Sequence, residues 1–296
     1  MRRLAELGEL GLLRELERRG LAERIGDDVA VLDGGLVVTQ DALVEGIHFQ
    51  LDWTTWHDLG YKAAAVNLSD LAAAGAEPEA LMVSLALPPD TETASVLALY
   101  EGLNEPGVPL RGGDTAAGDR VYLSVTALGR SERVPGRAGA KPGDVLVVTG
   151  PLGGSAAGLR ALELGLEGFD ELVRMHNRPP LRLAEGRSLA SVAHALIDLS
   201  DGIATDARHI AERSGCAVEI EIERLPLAPR IEEVGPESFW TLGEDYELLA
   251  ALAPGDAAAT GYVVVGRCLP GTDARITRAG EPLALSGWEH FSPPED

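Results

Sequence analysis

GDDVAVLDGGLVVTQDALVEGIHF, residues 26–49, decides how the chain reads. Two β-rich runs, VAVLDGG and LVVTQDALVEGIHF, meet at Gly34-Gly35, a dipeptide suited to a hairpin turn because glycine takes positive φ at little cost. Hairpin pairs of this kind interrupt a strict β–α alternation, so two domains with mixed sheets fit the order better than one doubly wound sheet. Asp41 breaks the apolar pattern of the second run and shares a strand face with Thr39. A carboxylate there either binds a cation or marks a strand end. Asp27 and Asp28 stand directly before the first run. Neighbours on a strand point oppositely, so only one of the two is a candidate ligand, while the other faces solvent or a backbone donor.

Outward from this stretch, residues 3–20 read as an amphipathic helix with no unbroken apolar segment, unlike a signal peptide. Downstream, an Ala- and Leu-rich helix runs from about His57 to Gly75, followed by the strand LMVSLALP, the helix TETASVLALYEGL and the strand VYLSVTALGR. RSERVPGRAGAKPGD, between Arg130 and Asp144, is rich in Gly, Pro and charge and marks the expected boundary, giving domains 1–135 and 136–296. The second half adds the strand VLVVTG, the helices GGSAAGLRALELG and RLAEGRSLASVA, the strand ALIDLS and the helix DGIATDARHIAERSG. AVEIEIERL alternates as a half-exposed strand would, and YELLAALAP, YVVVGRC, ARITRAG and EPLALS form a strand-rich end. The fold class is α/β, with two domains.

With 45% hydrophobic and 24% charged residues in 296, the composition is that of a soluble globular protein. A net charge of −22 excludes a sequence-independent nucleic-acid binder and disfavours an anionic membrane surface. An acidic protein that binds nucleotides must invert its local charge, and metal ions do that. Two cysteines, Cys216 and Cys268, make neither a CxxC nor a disulfide framework, so a cytoplasmic location is expected. No apolar run approaches the ~20 residues needed to span a bilayer. Lysine occurs only at Lys62 and Lys141, which reads as compositional bias.

Chemistry concentrates in aspartates set among small, apolar residues: Asp27 and Asp28, Asp41, Asp70 in NLSDLAAAGA, Asp114 in RGGDT, and Asp198 and Asp201 in LIDLSDG. Burying such groups unpaired is costly, nearby Lys and Arg are few, and Mg²⁺ prefers oxygen ligands beside phosphates. Asp70 is the sharpest case, with a helix cap by Asn67, Ser69 or Asp70 as the alternative. Asp198 and Asp201 could turn toward one ion, and Ser200 or Asp201 could cap the following helix. Arg137 either clamps a phosphate or is a solvated linker charge. His48 either touches a ligand or is structural. GPLGGSAAGL, residues 150–159, is either a tight turn or a phosphate cradle; GxxxxGK[ST] is absent, and no HExxH pattern suggests zinc.

IGDDVAVL, TQDALVEGIHF, YKAAAVNLSDLAAAGAEP, GGDT, RAGAKPGDVLVVTG, HNRPPLR, IDLSDGIATD and GEDYELL follow in this order. Together they resemble the thiamine-monophosphate kinase family, of the superfamily shared with aminoimidazole ribonucleotide synthetase, over essentially the whole chain. The resemblance implies two domains of that superfamily's type, with the N-terminal sheet pairing across a homodimer. It implies ATP-dependent phosphorylation of thiamine monophosphate to thiamine diphosphate with several Mg²⁺ ions. By the same resemblance, Asp28, Thr39, Asp41, Asp70, Asp114, Asp198 and Asp201 match metal ligands. Gly113, Asp114, Arg137 and Ser200 match ATP contacts, and His48, Glu244 and Trp288 match thiamine-phosphate contacts. Gln40 stands where the family commonly has Thr, and Ala116 replaces the second Thr of GGDTT. The runner-up is an aminoimidazole ribonucleotide synthetase-like enzyme; a catalytically silent Mg²⁺–nucleotide-binding protein is the reading from another class. Selenophosphate synthetase is disfavoured because no cysteine precedes Cys216.

Overall fold

The computed structural model describes residues 3–23, 25–235 and 237–284. Helix α1 (Leu4–Arg18) covers most of the expected N-terminal helix but breaks at Gly8, where φ is 67°. The hairpin forms: β1 (Ala30–Val31) pairs antiparallel with β2 (Leu36–Val44). α2 (Trp56–Ala73) begins at Thr55, whose Oγ1 accepts the Asp58 N–H at 3.0 Å and satisfies one of the helix's free donors. β3 (Glu77–Leu87), α3 (Thr93–Asn104), β4 (Leu110–Ala117) and β5 (Tyr122–Arg130) follow. The first sheet has the order β1-β2-β5-β3-β4, parallel only between β3 and β4.

β4 carries no strand signal in the sequence. Its run RGGDTAA has no large apolar side chain, and residues 111–117 are all exposed. Backbone pairing to β3 alone makes it a strand, at the sheet's edge. A Cβ on Gly113 would lie 1.7 Å from the Val83 carbonyl oxygen, so this close approach requires glycine.

α2 is apolar on nearly every side, as a helix buried all round must be. Leu59, Ala63, Leu68 and Leu71 pack with Leu81, Val83, Leu123 and Val125 of the first sheet. Ala72 and Ala73 join Val147, Leu189, Leu196 and Leu248 from the second half. α2 and α3 cross at two glycines: a Cβ on Gly60 would sit 1.9 Å from the Leu99 oxygen, and one on Gly102 1.9 Å from the His57 oxygen.

The second half contains β6 (Val145–Val148), α4 (Gly154–Leu164), α5 (Asp170–Asn177), α6 (Leu183–Ala190), β7 (Ala195–Asp198), α7 (Ile203–Ser214), β8 (Ala217–Glu221) and α8 (Ile231–Val234). β9 (Leu248–Leu252), α9 (Pro254–Thr260), β10 (Val263–Leu269), β11 (Ala274–Arg278) and β12 (Glu281–Leu283) complete it. Its sheet runs β12-β11-β8-β10-β6-β9-β7, parallel only between β11 and β8. Both sheets are therefore mixed, as the hairpin-like strand pairs implied. β8 is shorter and better covered than its alternation suggests. Flanked by β11 and β10, it buries Ala217, Val218 and Ile220, and leaves Glu219 and Glu221 only partly exposed. Among the described residues, no helix is long and apolar enough to cross a membrane.

Candidate active site

Three aspartates that are far apart in sequence meet between the two halves. Asp28 precedes β1, Asp70 lies in the last turn of α2, and Asp198 ends β7; each offers a carboxylate oxygen, all within 4.8 Å of one another. α2 is N-capped by Thr55, so Asn67, Ser69 and Asp70, near its C-terminal end, cap nothing there. They reach sideways instead. Thr39 Oγ1 donates to Asp70 Oδ2 at 2.5 Å, Ser69 Oγ donates to Asp198 Oδ2 at 2.7 Å, and Asn67 Oδ1 accepts the Asp41 N–H at 3.0 Å. That last donor is available because β1 pairs with β2 only at Val37 and Val38. Strand alternation puts Thr39 and Asp41 on the face of β2 that meets α2.

Arg137 is a half-buried partner of Asp28 and not a linker charge. Its Nε and Nη2 donate to Asp28 Oδ1 at 3.0 and 2.5 Å. Asp27 turns away from the cluster and accepts the Arg137 N–H at 3.3 Å, so the adjacent carboxylates do divide their roles.

Too much negative charge is gathered here for one arginine. Burial first, then Asp28 and Asp201, push Asp41 up to about 6. Burial, followed by Asp41, Asp198 and Asp28, lifts Asp70 well above the usual carboxylate range. Asp198 is lifted likewise by burial and Asp28, against the hydrogen bond from Ser69. Burial raises Asp28 too, an effect Arg137 opposes and Asp27 reinforces. A divalent cation would relieve all of these at once, and the all-oxygen donor set suits a hard ion such as Mg²⁺.

Asp206, which was not singled out from the sequence, belongs to this neighbourhood. It lies in the first turns of α7, is 1% exposed, and has an Oδ2 with no hydrogen-bond partner. Burial, then Asp201 and Asp198, raise it well above the usual range. The available signal was an aspartate inside IATDARHIAER, four residues into the helix that follows the LSDG segment. α7 starts from Gly202 without a side-chain cap at that position, so neither Ser200 nor Asp201 serves as its N-cap residue.

The chain folds Gly113 and Asp114 elsewhere. In the first sheet Asp41 pairs with Val125, Val125 with Val83, and Val83 with Gly113. Three strand spacings, about 14 Å, separate β2 from β4. His48 Nδ1 accepts the Val44 N–H at 3.1 Å, which leaves the ring proton on Nε2. Gln40 bonds Ser124 and Thr126 across β5. Trp288 lies outside the described residues.

The segment Glu244-Asp245-Tyr246-Glu247 lines the same region, stitched to the Asp198 loop by backbone bonds. Glu244 N–H donates to Ser200 O at 2.7 Å, Tyr246 N–H to Leu199 O at 2.9 Å, and Leu199 N–H to Glu247 O at 2.8 Å. Glu244 and Tyr246 hold φ of 57° and 51°, a left-handed geometry that costs a non-glycine residue on the order of 1 kcal/mol. Side-chain anchors hold it. Glu244 meets Lys62 at 3.1 Å, and Glu247 takes a two-point contact from Arg182 at 2.6 Å. Asp245 accepts the Gly153 and Ser155 N–H groups at the start of α4, at 2.7 and 3.4 Å. That contact decides the reading of GPLGGSAAGL. Its turn already holds an internal carboxylate, which burial raises to about 7 despite these donors.

Two family models match the chain: AIR synthase related protein, N-terminal domain, over residues 26–131, and AIR synthase related protein, C-terminal domain, over residues 141–265. Among curated proteins, the thiamine-monophosphate kinase of Mycobacterium tuberculosis is 37% identical, covering 99% of this chain and 94% of the relative. That of Escherichia coli is 39% identical over 91% of this chain and 92% of its own length. Among solved structures, AaThiL complexed with AMPPCP and TMP superposes with a TM-score of 0.92 at 33% identity, covering 98% of this chain and 99% of that one.

Proposed function

We propose that this chain, which belongs to the thiamine-monophosphate kinases among the AIR synthase related proteins, transfers the γ-phosphoryl group of ATP to thiamine monophosphate, giving thiamine diphosphate and ADP. The observation that carries the reading is the carboxylate cluster of Asp28, Asp70 and Asp198, drawn from both halves of the chain beside relatives that bear this name.

Both reactants are anionic, so the protein must bring two phosphates together in line and offset their charge. Asp28, Thr39, Asp41, Asp70, Asp198 and Asp201 are the proposed metal ligands of this cluster; Asp114, which the resemblance adds, stands three strands away and would serve a separate ion. Bound Mg²⁺ would supply the positive charge that cancels the mutual repulsion of the phosphates. Arg137, now held by Asp28, is the side chain on hand for a phosphate oxygen of ATP, with Ser200 and Gly113 as backbone neighbours of the nucleotide. Glu244 and His48 face the acceptor, and Trp288 is assigned there by resemblance alone. A phosphate oxygen of the acceptor forms the new bond to the γ-phosphorus as the bridging bond to ADP breaks. That oxygen is already a nucleophile near neutral pH, so neither a strong base nor a phospho-enzyme is required.

We also place the domain boundary at residues 135–136, in the segment between β5 and β6. A homodimer is expected across the first sheet, which exposes β4 at its edge and Met82 and Tyr122 on the interior strands β3 and β5. A cytoplasmic setting is consistent with two free, buried cysteines.

The test is incubation with ATP, thiamine monophosphate and Mg²⁺, following thiamine diphosphate and ADP, with EDTA as control. Equimolar products abolished by EDTA are expected. ATP binding without turnover would refute the kinase reading, and phosphate trapped on the protein from γ-labelled ATP would refute direct transfer.

A further inference from the structure

Lys62 is one of only two lysines among 25 Lys and Arg residues, and it is 3% exposed, so its compact ammonium is in an unusual place for this chain. Its Nζ lies 3.1 Å from Glu244 Oε2. His176 Nδ1 stands 3.4 Å from the same oxygen and 3.0 Å from Ser155 Oγ. Burial, then Lys62, drives His176 down to about 3, so the ring is neutral at physiological pH. Burial pushes Glu244 up, yet Lys62 and the other nearby bases outweigh it and keep the group below the usual value. Both side-chain contacts engage Oε2, and the Glu244 side chain is still 27% exposed, open on one side to a ligand.

Position along α2 gives the pair its meaning. Lys62 and Asp70 are on one helix, eight residues and so roughly 12 Å apart along its axis. Of the contacts α2 makes with the second half, two bear on the site: Ser69 holds Asp198 beside the phosphate-handling carboxylates, and Lys62 holds Glu244. The Glu244 and Asp198 segments are also bonded to each other through Ser200 and Leu199. One rigid helix thus spaces Glu244 from the carboxylate cluster.

We infer that Lys62 is a positioning residue for the acceptor: it fixes Glu244 at the distance from Asp70 at which that carboxylate accepts a hydrogen bond from the aminopyrimidine end of thiamine monophosphate while its phosphate lies at the cluster. The inference rests on the reading of Glu244 as an acceptor contact. Lys62 itself touches Glu244 and acts through it.

A kinetic double-mutant cycle on the whole chain separates this from simple neutralisation of a half-buried acid. Lys62→Met should raise KM for thiamine monophosphate about tenfold, the loss expected when a charge-assisted hydrogen bond no longer orients its acceptor. It should leave KM for ATP unchanged and shift kcat by less than about threefold. In a Glu244→Gln background, Lys62→Met should raise that KM no further. An unchanged KM in Lys62→Met, or an equal effect in both backgrounds, overturns the inference. If Glu244→Gln itself leaves the acceptor KM unmoved, the Glu244 reading is what has failed, and the inference falls with it. If Lys62→Met does not fold, Lys62→Gln is read by the same criteria.

Discussion

Mg²⁺ affinity should climb with pH, because metal and protons compete for the same carboxylates. Asp41 titrates at about 6, raised by burial and then by Asp28 and Asp201, and Asp70 and Asp198 are raised well above their usual value. A carboxylate with a raised pKa keeps its proton throughout the interval between its ordinary value and its folded one. A divalent ion must displace that proton. Cation binding therefore weakens as pH falls, by about 1.4 kcal/mol, or tenfold, per pH unit for each proton displaced. Taken alone, Asp41 loses about tenfold in apparent affinity between about pH 8 and pH 5, since only the last unit lies below its pKa. Asp70 and Asp198 steepen the slope over their own, higher windows. His176 and His209, depressed to about 3 and about 4 chiefly by burial, stay neutral across this range and do not blur the comparison. Titration calorimetry of EDTA-stripped protein with MgCl₂, in buffers of different ionisation enthalpy, reads both the affinity and the protons released. An affinity that does not change between these pH values, with no protons released, would refute the assignment of the cluster as a cation site.

Asp70→Asn should keep the fold, melting within about 1 kcal/mol of the parent because the charged form is already disfavoured by burial, while turnover falls by about a hundredfold or more. Thermal melts beside the kinase assay check this, and an active variant would remove Asp70 from the chemistry. Gly102→Ala should destabilise by about 1–3 kcal/mol in denaturant titration, because the new methyl would meet the His57 oxygen at 1.9 Å and force α2 and α3 apart. Arg182→Met leaves Glu247, 2% exposed, without its two-point partner and should cost about 3 kcal/mol by the same measurement. A neutral outcome there would mean that Thr149, whose Oγ1 donates to Glu247 at 2.6 Å, suffices.

Much of the site was legible because burial of a carboxylate is written into its neighbours. Asp70 among alanines and leucines, and Asp41 inside a strand, are costly positions whatever the fold, and both lie at the cluster. Arg137 and Asp206 were harder to read. A glycine-rich loop makes an arginine look solvated, and only the return of that loop against Asp28 pairs and half-buries it. Asp206 reads as an ordinary surface residue of an amphipathic helix until α7 is packed against the sheet. β4 was missed because GGDTAA offers no side-chain periodicity; its order comes from the backbone groups of β3.

Local patterning, by itself, determined the hairpin, the buried helix α2, the mixed character of both sheets and the chemistry of oxygen-rich, acidic segments. These follow from side-chain periodicity and glycine geometry, which act within a few residues. Tertiary packing alone decided that Asp28, Asp70 and Asp198 share one site, that Asp114 stands strands away from it, and that Lys62 faces Glu244. Those pairings join residues up to 182 positions apart, and no local propensity encodes which buried charges will meet when two sheets close on one helix.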